Sequence, residues 1–149
     1  MKKKLILIGS GGHANSCINI INTTKKFKIS YLVSKNSIKI ENFNKIQTIS
    51  EKDLLKKKLA GKNIFIAFGQ LKTGELREKK FNFFKKKNCK FPVIKSKHSV
   101  ISHDADIKEG TIIMHYVIIN SNVSIGKNCI INNRATIEHD CIIEDNVHI

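Results

Sequence analysis

Residues 113–131 read IMHYVIINSNVSIGKNCII, and isoleucine falls at positions 113, 119, 125 and 131 of that stretch. The same stride runs on in both directions. Ile101, Ile107, Ile137, Ile143 and Ile149 complete a series of nine without a miss. A helix repeats its apolar face at about 3.6 residues and a flat strand at about 2, so a period of six fits neither. It fits a coil of short strands that turns a corner after each hexapeptide. Two positions before the isoleucines stand Ala105, Thr111, Val117, Val123, Cys129, Ala135, Cys141 and Val147, all small or slim. A large and a small residue alternating toward one axis is what a narrow, closely packed tube requires. The positions between are mainly Asn, Asp, Ser, Gly, Lys and His, which suit exposed corners. The repeat is still running at Ile149, so the expectation is an incomplete coil, cut before any cap.

Ahead of the coil the periodicity changes near residue 95, and strands alternate with helices. Leu5–Ile8 is a continuous apolar run, the pattern of a buried parallel strand. Gly9-Ser10-Gly11-Gly12 follows, then a helical stretch to about Thr23 with Ala14, Cys17, Ile18 and Ile21 on one face. Lys28–Val33 and Ile64–Phe68 read as further strands. Ser50 with Asp53 three residues later opens a short helix in capping-box fashion, with Gly61 expected to end it. Thr73 to about Asn88 is a helix. Lys90–Ile94 contains Pro92 and is expected as an edge strand. The βαβ order implies a small parallel sheet. The expected organisation is a Rossmann-like α/β domain over 1–95 and an all-β parallel β-helix over 96–149.

Composition narrows the classes. The net charge is +15, carried almost wholly by lysine, with only Arg77 and Arg134 as arginines. Such charge attracts phosphate, nucleic acid or anionic membrane. It also arises from a lysine-rich bias with solvated side chains, and this reading is preferred because base and phosphate readers lean on arginine geometry. No zinc-finger, recognition-helix or aromatic RNA-binding signature accompanies the lysines, so nucleic acid is not expected as a partner. Cys17, Cys89, Cys129 and Cys141 lack CxxC spacing, which argues against disulfides and zinc and fits a reducing cytoplasm. The apolar run at the N-terminus is too short for a signal peptide, and no segment has the length of a membrane span.

Two groups of residues carry chemistry. Gly11 and Gly12 would let backbone amides approach a ligand, and the helix that follows adds partial positive charge suited to phosphate. Ala14 stands where the dinucleotide fingerprint has its third glycine. A tight βα turn without a ligand is the competing reading. A ribose-holding acid is expected after the second strand, but Ser34-Lys35-Asn36 stands there. In the coil, Glu138-His139-Asp140 is the charged exception. A histidine between two carboxylates can be held in one tautomer with a raised pKa, which suits a general base. An ordinary surface histidine at a polar corner is the alternative. His148 is equally open. Four coil histidines (His103, His115, His139, His148) raise a zinc site as a further alternative, but no two have the local spacing of a ligand pair.

The order Ile6-Leu7-Ile8-Gly9-Ser10-Gly11-Gly12-His13, Ala67-Phe68-Gly69-Gln70, Ile131-Asn132-Asn133, Ile137-Glu138-His139-Asp140-Cys141 and Asn146-Val147-His148-Ile149 resembles the sialic-acid O-acetyltransferase family. That family includes the bacterial UDP-4-amino-sugar N-acetyltransferases and belongs to the left-handed β-helix acyltransferases. The resemblance spans essentially the whole chain. It implies that His139 is the catalytic base and Asp140 the acid that raises its basicity. It implies that Gly11, Gly12, His13 and Gly69 hold a nucleotide-sugar and that His148 contacts acetyl-CoA. It further implies a cytoplasmic homotrimer that acetylates an amino sugar or sialic-acid-like sugar for bacterial surface glycans. A non-catalytic sugar-nucleotide-binding fragment without the acetyl-CoA half, and a zinc hydratase of the β-helix type, are the alternatives.

Overall fold

The computed structural model describes residues 1–34, 46–70 and 73–149. Lys35 and Asn36, where the missing acid was sought, lie outside the described residues.

The N-terminal part is a four-stranded parallel sheet with helices against it. β1 (Lys3–Ile8) leads through the glycine loop into α1 (Gly12–Thr24), β2 (Phe27–Ser34), β3 (Thr48–Ser50), α2 (Glu51–Leu55), β4 (Asn63–Ile66) and α3 (Glu75–Lys86). The strand order is β3-β2-β1-β4, so the chain reverses direction across the sheet between β1 and β4. β1 reads as a continuous apolar run because it is buried on both faces. Leu5 and Leu7 pack with Cys17, Ile18 and Ile21 of α1, while Ile6 and Ile8 face Leu54, Phe81 and Phe84.

Ser50 caps α2 as expected: its hydroxyl accepts from the Asp53 amide at 3.0 Å and donates to the Asp53 carboxylate at 2.7 Å. Two expectations need correcting. α2 stops at Leu55, not at Gly61, because Leu59 turns inward onto the core; Gly61, at φ +75°, serves a later turn. Lys90–Ile94 is not an edge strand. Lys90 makes a single parallel bridge with Asn63. Pro92 has no N–H to extend the ladder, and the chain leaves the sheet there. Ile94 then pairs with Ile112.

From Ile94 onward the chain forms a left-handed parallel β-helix. β5 (Ile94–Lys95), β6 (Val100–Ile101), β7 (Asp106–Ile107), β8 (Ile112–Ile113), β9 (Ile118–Ile119), β10 (Ser124–Ile125), β11 (Ile130–Ile131), β12 (Thr136–Ile137) and β13 (Ile142–Ile143) follow at intervals of six. They stack into three sheets, β11-β8-β5, β12-β9-β6 and β13-β10-β7. Successive rungs are eighteen residues apart, as in Val100↔Ile118 and Thr136↔Ile118. The interior holds the two columns expected of it: Ile113, Ile119, Ile125 and Ile131 with Val117, Val123 and Cys129. Thr111 belongs there too, because its hydroxyl donates to the Gly126 carbonyl at 2.8 Å and accepts from the Cys129 amide at 2.9 Å.

The corners share one backbone conformation. Tyr116, Asn122, Asn128, Arg134, Asp140 and Asn146 all have φ near +60°, again six apart. That left-handed region is crowded for most residues but tolerated by Asn and Asp, whose short polar side chains hydrogen-bond locally. Asn122, Asn128 and Asn146 are therefore corner residues for a conformational reason.

The coil is joined to the α/β part through one of its faces. Ile94, Ile112 and Ile130 point outward from the tube, yet all are buried against α1. The equivalent outward isoleucines on the other faces, Ile118 and Ile142, are exposed. Lys85 of α3 reaches Glu109 at 2.8 Å on the same junction. No described helix is long and apolar enough to cross a membrane.

Candidate active site

The reversal of strand order between β1 and β4 opens a crevice at the carboxyl ends of the strands, the place where open α/β sheets bind ligands. A cavity of about 790 Å³ lies there. Its floor is Gly9–His13 after β1, and its walls are Ala67–Gly69 after β4 with Arg77 and Lys80 of α3. Gly9 has φ +128°, and a Cβ on it would stand 3.0 Å from the backbone of Ala67. It is glycine so that the two loops can touch. Among the described residues, nothing lies within 4 Å of a would-be Cβ on Gly11 or Gly12. They leave open space over the start of α1, where no side chain caps the helix and no acid stands in the first turn. The partial positive end of α1 thus faces the cavity uncompensated.

Gly11, Gly12, His13 and Gly69 all line this cavity. A Cβ built on Gly69 would lie 3.8 Å from the His13 side chain, in ordinary van der Waals contact. Burial, followed by the positive charge of Arg77 and then His148, pushes the His13 imidazole down to about 4, so it is neutral at physiological pH. Its Nε2 is buried without a partner among the described residues. His148 belongs to the coil yet acts on this same corner; partial burial and Arg77 lower its own pKa.

His139 and Asp140 stand apart from this cavity. Among the described residues, every residue lining it comes from the α/β part. The pair occupies an exposed coil corner, with Nδ1 of His139 2.6 Å from Oδ2 of Asp140. Asn122, one turn above, donates to Oδ1 of Asp140 at 2.6 Å, and Asn120 likewise donates to Glu138 at 2.9 Å. The Asp140 hydrogen bond and charge, then the Glu138 charge, raise the His139 pKa. Asp140 is held below its usual value by Asn122 and His139.

Three cavity residues escaped the sequence reading. Glu51 and Lys80 form an ion pair at 2.5 Å on its wall, and Arg77 lies buried beneath it. Arg77 did carry a signal: it is one of two arginines in a chain whose other basic residues are lysines. Among the described residues no group of three or more His, Cys, Asp or Glu could hold a metal ion.

The sequence profile of the PglD N-terminal domain matches residues 4–84. This chain belongs to that family. Residues 104–139 of this PglD-type chain match the bacterial transferase hexapeptide, six repeats. No curated protein matches it significantly. Among solved structures, the acetyltransferase domain of PglB from Neisseria gonorrhoeae is similar over 99% of this chain and 70% of its own, at 23% identity and TM-score 0.86. Perosamine N-acetyltransferase from Caulobacter crescentus, in a complex of a mutant with CoA and GDP-perosamine, is similar over 97% of this chain and 67% of its own, at 22% identity and TM-score 0.85. WeeI from Acinetobacter baumannii is similar over 99% and 69%, at 21% identity and TM-score 0.80. At these identities the likeness is one of fold.

Proposed function

We propose that the chain is an acetyltransferase that moves the acetyl group of acetyl-CoA onto the amino group of a nucleotide-linked sugar. The observation that carries this reading is the coexistence of two parts in one PglD-type chain. One is an open, glycine-floored cavity at the strand switch point. The other is a histidine–aspartate pair on a hexapeptide coil. The similar structures from Neisseria and Caulobacter are an acetyltransferase domain and a sugar N-acetyltransferase seen with CoA and a nucleotide-sugar, which favours the same pair of ligands here.

In this reading residues 1–95 hold the nucleotide-sugar, with its phosphates over Gly11, Gly12 and the start of α1, and with His13 and Gly69 beside the sugar. Residues 96–149 carry the acetyl-CoA side, including His148. Asp140 accepts from Nδ1 of His139, so Nε2 carries the lone pair. That nitrogen takes a proton from the acceptor amine as the amine attacks the thioester carbonyl. The C–N bond forms, the C–S bond breaks, and the thiolate leaves to be protonated. Backbone amides stabilise the oxyanion. No coil residue lines the cavity among the described residues. A homotrimer, in which a neighbouring copy completes the site that each chain's cavity and coil corner begin, fits that separation. The cytoplasm, a reducing compartment that supplies acetyl-CoA, fits this reading and the scattered cysteines.

The test is thiol release on mixing the protein with acetyl-CoA and a panel of nucleotide-linked amino sugars, alongside calorimetry with each ligand. Thiol release with one of the sugars supports the reading. Sugar-nucleotide binding with no acetyl-CoA binding at millimolar ligand would replace it with a non-catalytic binding role.

A further inference from the structure

Among the described residues no carboxylate pairs with Arg77, a buried cation. It is 1% exposed, and its partners are three backbone carbonyls: Ile66 at 2.6 Å, Phe68 at 2.8 Å and Asn128 at 3.1 Å. Its face also stacks near the Phe65 ring, 5.8 Å from the centroid. Taking an ion out of water is costly unless its interactions are rebuilt inside, and a well-packed apolar side chain usually fills such a space at less cost. A lysine cannot hold three carbonyls in a planar fork.

The three carbonyls belong to different halves of the molecule. Ile66 ends β4, Phe68 lies in the loop that follows, and Asn128 is a corner of the coil. The bonds continue from both sides. Asn128 Nδ2 donates to Asn146 Oδ1 at 2.8 Å, and Gln70 Nε2 donates to the Asn146 carbonyl at 2.7 Å. Arg77, Asn128, Asn146, Gln70 and Phe68 thus close a ring across the junction. Gly69, in that ring's loop, lines the same cavity as His13. His148 follows Asn146 by two residues.

We propose that Arg77 is a positioning residue: its fork locks the loop after β4 to the coil corner at Asn128 and so fixes the glycine-floored cavity and His13 relative to His148. The names of the two ligands rest on the acetyltransferase reading above. Each ligand has its binding residues on one side of the junction, so loosening the lock spares ground-state binding and costs turnover, which depends on mutual placement. The charged and titratable groups that face or share the cavity with His13 are Arg77 and Lys80 on α3, Glu51 on α2 and His148 on the coil.

Two variants separate the fork from the charge. Arg77→Lys keeps the cation and loses the fork. It is expected to lower kcat by about 100-fold with KM for either substrate within about 3-fold of wild type. Its His13 imidazole, followed by NMR, should still titrate near the wild-type value. Arg77→Met loses both, and in a protein that keeps its circular dichroism the His13 pKa should rise, because the Arg77 cation lowers it. A kcat for Arg77→Lys within about 3-fold of wild type, or a loss seen only in KM, overturns the proposal. If Arg77→Met does not fold, Arg77→Lys decides alone. If the wild type transfers no acetyl group, the acetyltransferase reading fails separately. Amide hydrogen exchange of Arg77→Lys then decides: unchanged protection of the Ala67, Asn128 and Asn146 amides on either side of the junction overturns the lock, and faster exchange there supports it.

Discussion

Nδ1 of His139 lies 2.6 Å from Oδ2 of Asp140, its immediate neighbour in the chain. Neighbouring side chains seldom meet in extended backbone, where they point to opposite faces. They meet here because Asp140 takes the left-handed corner conformation, with φ +62°. Asn122 then holds the other carboxylate oxygen from the turn above. The repeat therefore builds the dyad: the corner brings the two residues together, and the eighteen-residue turn supplies the third partner.

Replacing His139 with alanine removes the proposed base and nothing from the core, since its side chain is exposed. Turnover should fall by about 10²–10⁴-fold with the melting temperature unchanged, the usual span for a lost general base. Turnover within a few-fold of wild type would remove His139 from the mechanism.

Asp140→Asn acts on the same proton. Asp140 is the main cause of the raised His139 pKa, through its hydrogen bond and then its charge. A base works only when unprotonated, so kcat/KM should rise with pH through the His139 pKa. In Asp140→Asn that limb should move to lower pH, and the plateau should fall as the base weakens. A limb that stays in place in a pH–rate profile would contradict the assignment.

The two glycine positions make opposite predictions. Gly9→Ala puts a methyl group 3.0 Å from the Ala67 backbone at a φ that L-residues rarely adopt. It should destabilise the fold by about 1–3 kcal/mol in denaturant titration. Gly11→Ala meets nothing within 4 Å among the described residues and has an ordinary φ of −93°. Its stability should match wild type, while KM for the nucleotide-sugar rises because the methyl occupies the ligand's space. A destabilised Gly11→Ala with unchanged KM would mean that the loop is only a turn.

His13 supplies a pH dependence of stability. Its folded pKa of about 4 lies below the unfolded value of 6.5. Between those values the unfolded chain binds more protons, so stability falls as pH falls from about 6.5 toward 4. For this residue the loss between about pH 7 and pH 5 is about 2 kcal/mol. Urea titrations of wild type and His13→Gln at those two pH values should show the smaller loss in the variant. Equal losses would show that His13 is not depressed in the folded state.

Much of the fold can be read from residues alone, and the coil best of all. Its period is strict because every sixth side chain must fill the same slot, so nine isoleucines report the tube directly. The glycine loop was legible for a similar reason, since a strand followed by Gly-rich turn and helix has few other uses. The edge strand at Lys90–Ile94 was misread because apolar residues around Pro92 suit either a sheet edge or the first rung of a coil. Which one wins depends on whether Ile94 finds β4 or Ile112, and that is a matter of contact, not of composition.

The sequence by itself determined the two periodicities, the corner asparagines, the glycine turn and the adjacency of His139 and Asp140. These are local, and steric or hydrogen-bonding rules over a few residues suffice to specify them. Only the tertiary structure decided that Ile112 and Ile130 are buried while Ile118 and Ile142 are exposed, because the same outward position is apolar core or bare surface according to what docks on it. It alone decided that Arg77 bridges the two halves and that His13 and His148 face one corner while His139 lies outside that cavity. Those relationships join residues fifty or more positions apart, and no short-range rule links residues that only packing brings together.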